Sequence, residues 1–154
     1  MSKRNEETIK IIRKLFINRD DYSTQKPDGG YIHGEYVNDE FVKVNSITDD
    51  ILLRHLSGEK TLLAFCHRGS GKENAFVRWA CFDIDCKIKD DAGNESWNDD
   101  EARSIVFSLC ETLDKMNYTY VIEFSGGKGY HVWVFLDEDT PAKDAVYFLE
   151  STCD

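Results

Sequence analysis

The sequence predicts an α/β fold of the α+β kind, a mixed β-sheet with flanking helices, and three observations carry that prediction. Apolar residues recur at helical spacing in four segments, short β-like runs alternate with them, and glycine-rich connections separate the runs. With 154 residues, 41% hydrophobic and 12% aromatic, the chain is expected to form one domain, with 1–46 as a helix and arm and 47–154 as an α/β core.

Ile9, Ile12, Leu15 and Phe16 share one side of a helix over Glu6 to Asn18, while Lys10, Arg13 and Lys14 occupy other faces. The turn signal Pro27-Asp28-Gly29-Gly30 precedes two short strands, Tyr31 to Val37 and Glu40 to Val44. Thr48 is an N-cap before Asp49 and Asp50, and the apolar Ile51, Leu52, Leu53 and Leu56 run up to a glycine stop at Gly58. Thr61 to Cys66 and Phe76 to Asp85 are predicted to pair as a hairpin across Arg68-Gly69-Ser70-Gly71-Lys72.

Asn98 and Glu101 form a capping box ahead of the stripe Ala102, Ile105, Val106, Leu109, Cys110, Leu113 and Met116. That helix links the strand ending at Asp85 to the run Tyr118 to Phe124, so the two strands are expected to form a parallel pair through a right-handed crossover. Tyr130 to Leu136, apolar on both faces, reads as a central buried strand. Pro141 opens a last helix to Glu150, with Ala142, Ala145, Val146 and Leu149 on one side.

No apolar run approaches the roughly 18 residues that cross a bilayer, which excludes a spanning helix from the sequence. The opening Met-Ser-Lys-Arg-Asn-Glu-Glu has no signal-peptide pattern, so a cytoplasmic location is expected. The net charge of −10 is unevenly spread. Residues 1–87 hold 14 basic and 14 acidic residues, and residues 88–154 hold 5 and 15. The total argues against a nucleic-acid binder; the neutral first half does not. Five cysteines, Cys66, Cys81, Cys86, Cys110 and Cys153, form no C-x-x-C pair, which points to free thiols rather than zinc or disulfides.

Two segments carry candidate chemistry. In Phe82-Asp83-Ile84-Asp85, residues two apart on a strand share a face, so Asp83 and Asp85 project together while Phe82 and Ile84 face the other way. Two carboxylates about 4 Å apart repel by roughly 4 kcal/mol at an effective dielectric near 20, unless a cation lies between them or one takes a proton. Such hard oxygen donors suit Mg²⁺ or Mn²⁺; a strand end whose acids merely reach water is the competing reading. The second segment is Ser125-Gly126-Gly127-Lys128-Gly129-Tyr130-His131. Its glycines permit a backbone that turns successive amides into one concavity, flanked by a hydroxyl, an ammonium and an imidazole, which makes a phosphate cradle; a plain hairpin turn is the alternative. Gly69-Ser70-Gly71-Lys72 is similar to the end of a P-loop, but Cys66 stands at the upstream glycine position and Glu73 follows the lysine.

Together, D-x-D on one strand and S-G-x-K-G-x-H-x-W on a later one resemble the archaeo-eukaryotic primase superfamily. Leu15 to Asp21, Gly30-Tyr31, Ile47 to Ile51, His55 to Gly58 and Phe135 to Ala142 resemble the primase domain of TOTE conflict systems in particular. The resemblance implies the N-terminal part of a primase-polymerase core and a metal-dependent nucleotidyl transfer. The 3′-hydroxyl of a primer, or an initiating nucleotide, would attack the α-phosphate of an NTP or dNTP on a DNA or RNA template-primer, breaking the α–β phosphoanhydride bond and releasing pyrophosphate. It implies that Asp83 and Asp85 bind Mg²⁺ or Mn²⁺. It also implies that Ser125, Gly126, Gly127, Lys128, Gly129 and His131 hold the triphosphate, with Asp83, Asp85 and His131 as the catalytic set.

The family's third carboxylate lies on a later strand, so the catalytic unit is expected to extend past Asp154; Asp137, Glu138 and Asp139 read as a solvated acidic turn. A cysteine-rich insertion common in that family has no counterpart between Gly30 and Ile47, and Lys128 is the only cation of the loop. Two other functions fit parts of the sequence. One is a nucleotide or nucleic-acid-end binding module without chemistry. The other is a metal nuclease built on Asp85-Cys86-Lys87.

Overall fold

The computed structural model describes residues 3–26, 29–33, 35–37, 40–42, 46–69, 74–126 and 129–153. The chain forms two compact units, Met1–Arg78 and Trp79–Asp154. No helix among the described residues is long and apolar enough to cross a membrane.

In the first unit, α1 (Lys3–Leu15) buries Ile9 and part of Ile12 in a small core with Tyr22, Ile47, Ile51 and Leu52. Arg13 of its basic face is engaged. Arg13 donates from Nε and Nη2 to Asp49 Oδ1 at 2.9 and 2.8 Å, and from Nη2 to the Ile47 carbonyl at 2.7 Å. Strand β1 (Tyr22–Gln25) is the centre of a three-stranded antiparallel sheet with β2 (Tyr31–Ile32) on one side. β3 (Glu35–Val37) and β4 (Glu40–Val42) make a separate hairpin. Pro27 and Asp28 of the expected turn, and residues 43 and 44 of the expected strand end, lie outside the described residues. α2 (Asp49–Leu56) begins as expected, with the Thr48 side chain accepting from the Ile51 amide at 3.3 Å, and Gly58 follows it at φ +76.

The predicted hairpin arm is corrected. β5 (Leu62–Ala64) pairs with β1, with Tyr22 opposite Ala64 and Thr24 opposite Leu62. The strand that pairs with the start of β7 (Phe76–Ile84) is instead β6 (His67–Arg68). Leu62 gains more by packing on the core around Tyr22 than by lying in an exposed ribbon. Gly69, at φ +85, lets the short arm close, because its missing Cβ would sit 1.9 Å from the Asn74 carbonyl oxygen.

The second unit runs from Trp79 within β7 through β8 (Lys87–Lys89), β9 (Glu95–Trp97), α3 (Asp99–Lys115), β10 (Tyr120–Phe124), β11 (Tyr130–Pro141) and α4 (Ala142–Cys153). Phe82 and Ile84 of β7, Val132 and Val134 of β11, Ala102, Val106, Cys110 and Leu113 of α3, and Phe148 of α4 form its core. The capping box at α3 is modified. The Glu101 amide donates to Asn98 Oδ1 at 3.3 Å, but the Glu101 carboxylate takes the Asn98 side-chain amide at 2.8 Å, because the Asn98 backbone amide goes to the Cys86 carbonyl at 3.0 Å. Replacing Asn98 with alanine is expected to cost about 1 kcal/mol, read as a lower urea midpoint; an unchanged midpoint would contradict this role. At the other end, Asn117 takes the left-handed conformation, φ 59. The Tyr118 amide donates to the Leu113 carbonyl and the Asn117 amide to the Asp114 carbonyl, both at 3.0 Å, closing the helix in a Schellman motif.

The strand order β10-β11-β7 corrects the expected parallel pair. β10 and β11 are joined by a short glycine loop and pair as neighbours, and β11 also pairs with β7, so it lies between them. The result is a split β-α-β arrangement, in which α3 connects strands that are not adjacent. β11 is central as expected, but only its even-numbered face is fully buried: Val132 and Val134 are 0% exposed, while His131, Trp133 and Phe135 are half-buried. It also runs on through Asp137 to Pro141, where the sequence suggested an acidic turn. In α4, Phe148 rather than Val146 meets the core; Val146 is 51% exposed.

Candidate functional site

Along β7 the odd-numbered face changes from buried Val77 through half-buried Trp79 and Cys81 to exposed Asp83, and exposed Asp85 follows just past the strand's end at Ile84. The even-numbered Phe82 and Ile84 anchor the strand under the helices, which fixes which way the acids point. Next to this face, His131 on β11 brings Nε2 to 3.7 Å from Asp83 Oδ1. One step along, Gly129 packs against β7 so closely that a Cβ there would lie 2.1 Å from Asp85 Oδ1 and 2.6 Å from the Ile84 carbonyl oxygen. The contacts run in opposite order along the two strands, so β11 is antiparallel to β7. The glycine loop therefore stands beside the carboxyl end of the acidic strand.

The loop closes on itself through its end residues. The Gly129 amide donates to Ser125 Oγ at 3.1 Å, the Ser125 amide donates to the Gly129 carbonyl at 2.9 Å, and Gly126 sits at φ +83. Of the eight residues singled out from the sequence, Asp83, Asp85, Ser125, Gly126, Gly129 and His131 are thus placed at one end of one sheet. Gly127 and Lys128 lie outside the described residues.

One residue that the sequence reading missed is at the centre of this face. Glu123 on β10 is paired directly opposite His131, and its Oε2 accepts from His131 Nδ1 at 3.0 Å and from Trp133 Nε1 at 2.8 Å. The signal was present. A loop flanked by Phe124 and Tyr130 sets Glu123 against His131 in any hairpin closed by that loop. Trp133 is held in turn by an edge-on contact with Trp79 at 5.0 Å between ring centroids.

Behind the carboxylates, the Cys81 thiol is pushed up to about 12, first by burial and then by the nearby Asp83 and Glu123 charges. Hardly any thiolate exists there near neutrality, so Cys81 is expected to resist iodoacetamide at pH 8 while the exposed Cys66 and Cys153 label. Peptide mass mapping checks this; labelling of Cys81 as fast as Cys66 would contradict it.

Asp83 and Asp85 are two oxygen-bearing side chains open to solvent, with Asp83 71% exposed. That donor set fits a divalent cation that keeps several waters and shares substrate phosphate oxygens. Among the described residues, no group of three His, Cys, Asp or Glu side chains is arranged to enclose a metal. Lys87 does not continue the acidic strand. It belongs to β8, where it pairs with Glu95 at 3.5 Å, and the strand that a nuclease motif would need ends at Ile84.

None of the curated proteins matches the chain significantly. A family model does: that of the archaeo-eukaryotic primase domain of TOTE conflict systems, over residues 7–154.

Proposed function

The chain belongs to this primase family, and from that premise we propose that it is a metal-dependent nucleotidyltransferase of the primase-polymerase type. The observation that supports the reading best is the strand pairing that sets His131 beside Asp83 and Gly129 beside Asp85, so that a cation site and a phosphate cradle adjoin. In this reading Asp83 and Asp85 hold Mg²⁺ or Mn²⁺, which when bound would polarise the phosphate and lower the barrier to attack by a 3′-hydroxyl. Ser125, Lys128, His131 and the loop amides grip the triphosphate of an NTP or dNTP and align its α-phosphate. The partners are a template-primer of DNA or RNA, and the proposed place of action is the cytoplasm.

Primer extension with Mn²⁺ tests the reading. Expressed from its complete reading frame, wild type is expected to extend, and His131→Ala to be slower by about 10²-fold; equal rates would remove His131 from the site. The second reading is a nucleotide-binding module without transfer. Triphosphate binding with no extension under any metal would select it.

A further inference from the structure

We propose that Glu123 is a positioning residue that fixes the tautomer and orientation of His131. The inference rests on the reading of His131 as a group that faces the substrate.

The chemistry of the three partners settles the direction of each hydrogen bond. An indole Nε1 can only donate, and an ionised carboxylate can only accept. Glu123 Oε2, held by Trp133 Nε1 at 2.8 Å, is therefore an acceptor, and His131 Nδ1 at 3.0 Å from the same oxygen must carry its hydrogen. Nε2 is left as the nitrogen on the Asp83 side, 3.7 Å from Asp83 Oδ1 and beyond direct hydrogen bonding to it. A carboxylate on the far nitrogen of a functional histidine is a general means of orienting the ring.

Rigid backbone supports the arrangement. Glu123 and His131 are a directly opposed pair of the β10-β11 hairpin, so their side chains leave the sheet on the same face at close range. Trp133, two residues along on that face, stacks edge-on against both Trp79, at 5.0 Å, and His131, at 5.8 Å. Without Glu123, the imidazole keeps its place between strands but loses the partner that distinguishes its two nitrogens.

Histidine labelled with ¹⁵N and read through two-bond proton couplings tests this directly at a pH where the ring is neutral. The chain has four histidines, and a His131→Asn sample assigns the signal. Wild type is expected to show hydrogen on Nδ1 of His131, Glu123→Ala to move it mainly to Nε2, and Glu123→Gln, whose side-chain oxygen still accepts, to keep it on Nδ1. Unchanged signals from the other three histidines show that the variants are folded. In parallel, Glu123→Ala is expected to bind a nucleoside triphosphate with Mn²⁺ about tenfold more weakly, and Glu123→Gln to bind within about twofold of wild type.

Hydrogen on Nε2 in wild type, or no change of tautomer in Glu123→Ala, would overturn the proposal. So would a changed tautomer with undiminished triphosphate affinity. A wild type that binds no triphosphate would instead defeat the reading of the site, while the tautomer measurement would still decide the role of Glu123.

Discussion

Asp83→Ala and Asp85→Ala are each expected to lower metal-dependent nucleotide transfer by at least about 10²-fold while leaving the thermal midpoint nearly unchanged. The two effects separate because of where the side chains sit. Asp83 is 71% exposed and Asp85 is exposed, whereas the strand is anchored by Phe82 and Ile84 on the opposite face. Removing a solvated carboxylate from such a position costs little folding free energy, within about 0.5 kcal/mol. In the proposed cation site, losing a hard oxygen donor would remove a ligand that the remaining acid cannot replace alone. Extension rates with Mn²⁺, measured beside a melting curve, decide the matter. Full activity in either variant would show that its carboxylate is only a solvated strand end.

The second large effect is predicted at Gly129. An alanine there places a methyl carbon 2.1 Å from Asp85 Oδ1 and 2.6 Å from the Ile84 carbonyl oxygen. The carboxylate can swing away, but the Ile84 carbonyl is backbone and cannot, so β11 and β7 must separate at the end that carries the site. The expected cost is about 1–3 kcal/mol of stability, with a larger loss of triphosphate binding. Gly126→Ala is the informative comparison. Nothing lies within 4 Å of its added carbon, and only the φ of +83 opposes it, at about 1 kcal/mol. Denaturant midpoints and triphosphate affinities of both variants check this; a Gly129→Ala protein as stable and as competent as wild type would contradict the close approach.

How far the sequence could be read depended on whether a feature is local. The outward facing of Asp83 between buried Phe82 and Ile84 follows from the two-residue period of a strand, and the limits of α3 follow from Asn98, Glu101 and an apolar stripe, so each was legible. Pairing between distant segments was not. The run around Leu62 matches either of two partner strands, and only packing on Tyr22 selects β1. Likewise, nothing local to β10 says that β11 will come between it and β7.

The hairpin of β8 and β9 leaves no signal in the sequence pattern for a different reason. It has no apolar alternation. It rests on Lys87 and Lys89 reaching Glu95, at 3.5 and 3.2 Å, and on Asp90 accepting the Ala92 and Asn94 amides at 2.9 and 2.8 Å. In the site, Ser125, Gly129 and His131 were identified from one contiguous motif, whereas Glu123 belongs to it only through a cross-strand pairing.

The acidic strand and the glycine loop are proposed to form one site that takes metal and triphosphate together. Calorimetric titration of a nucleoside triphosphate with and without Mn²⁺, on wild type and Asp83→Ala, tests it most directly. Wild type is predicted to bind triphosphate at least about tenfold more tightly with Mn²⁺ present, and Asp83→Ala to lose most of that gain. Triphosphate affinity that responds to Mn²⁺ equally in both proteins would contradict the claim.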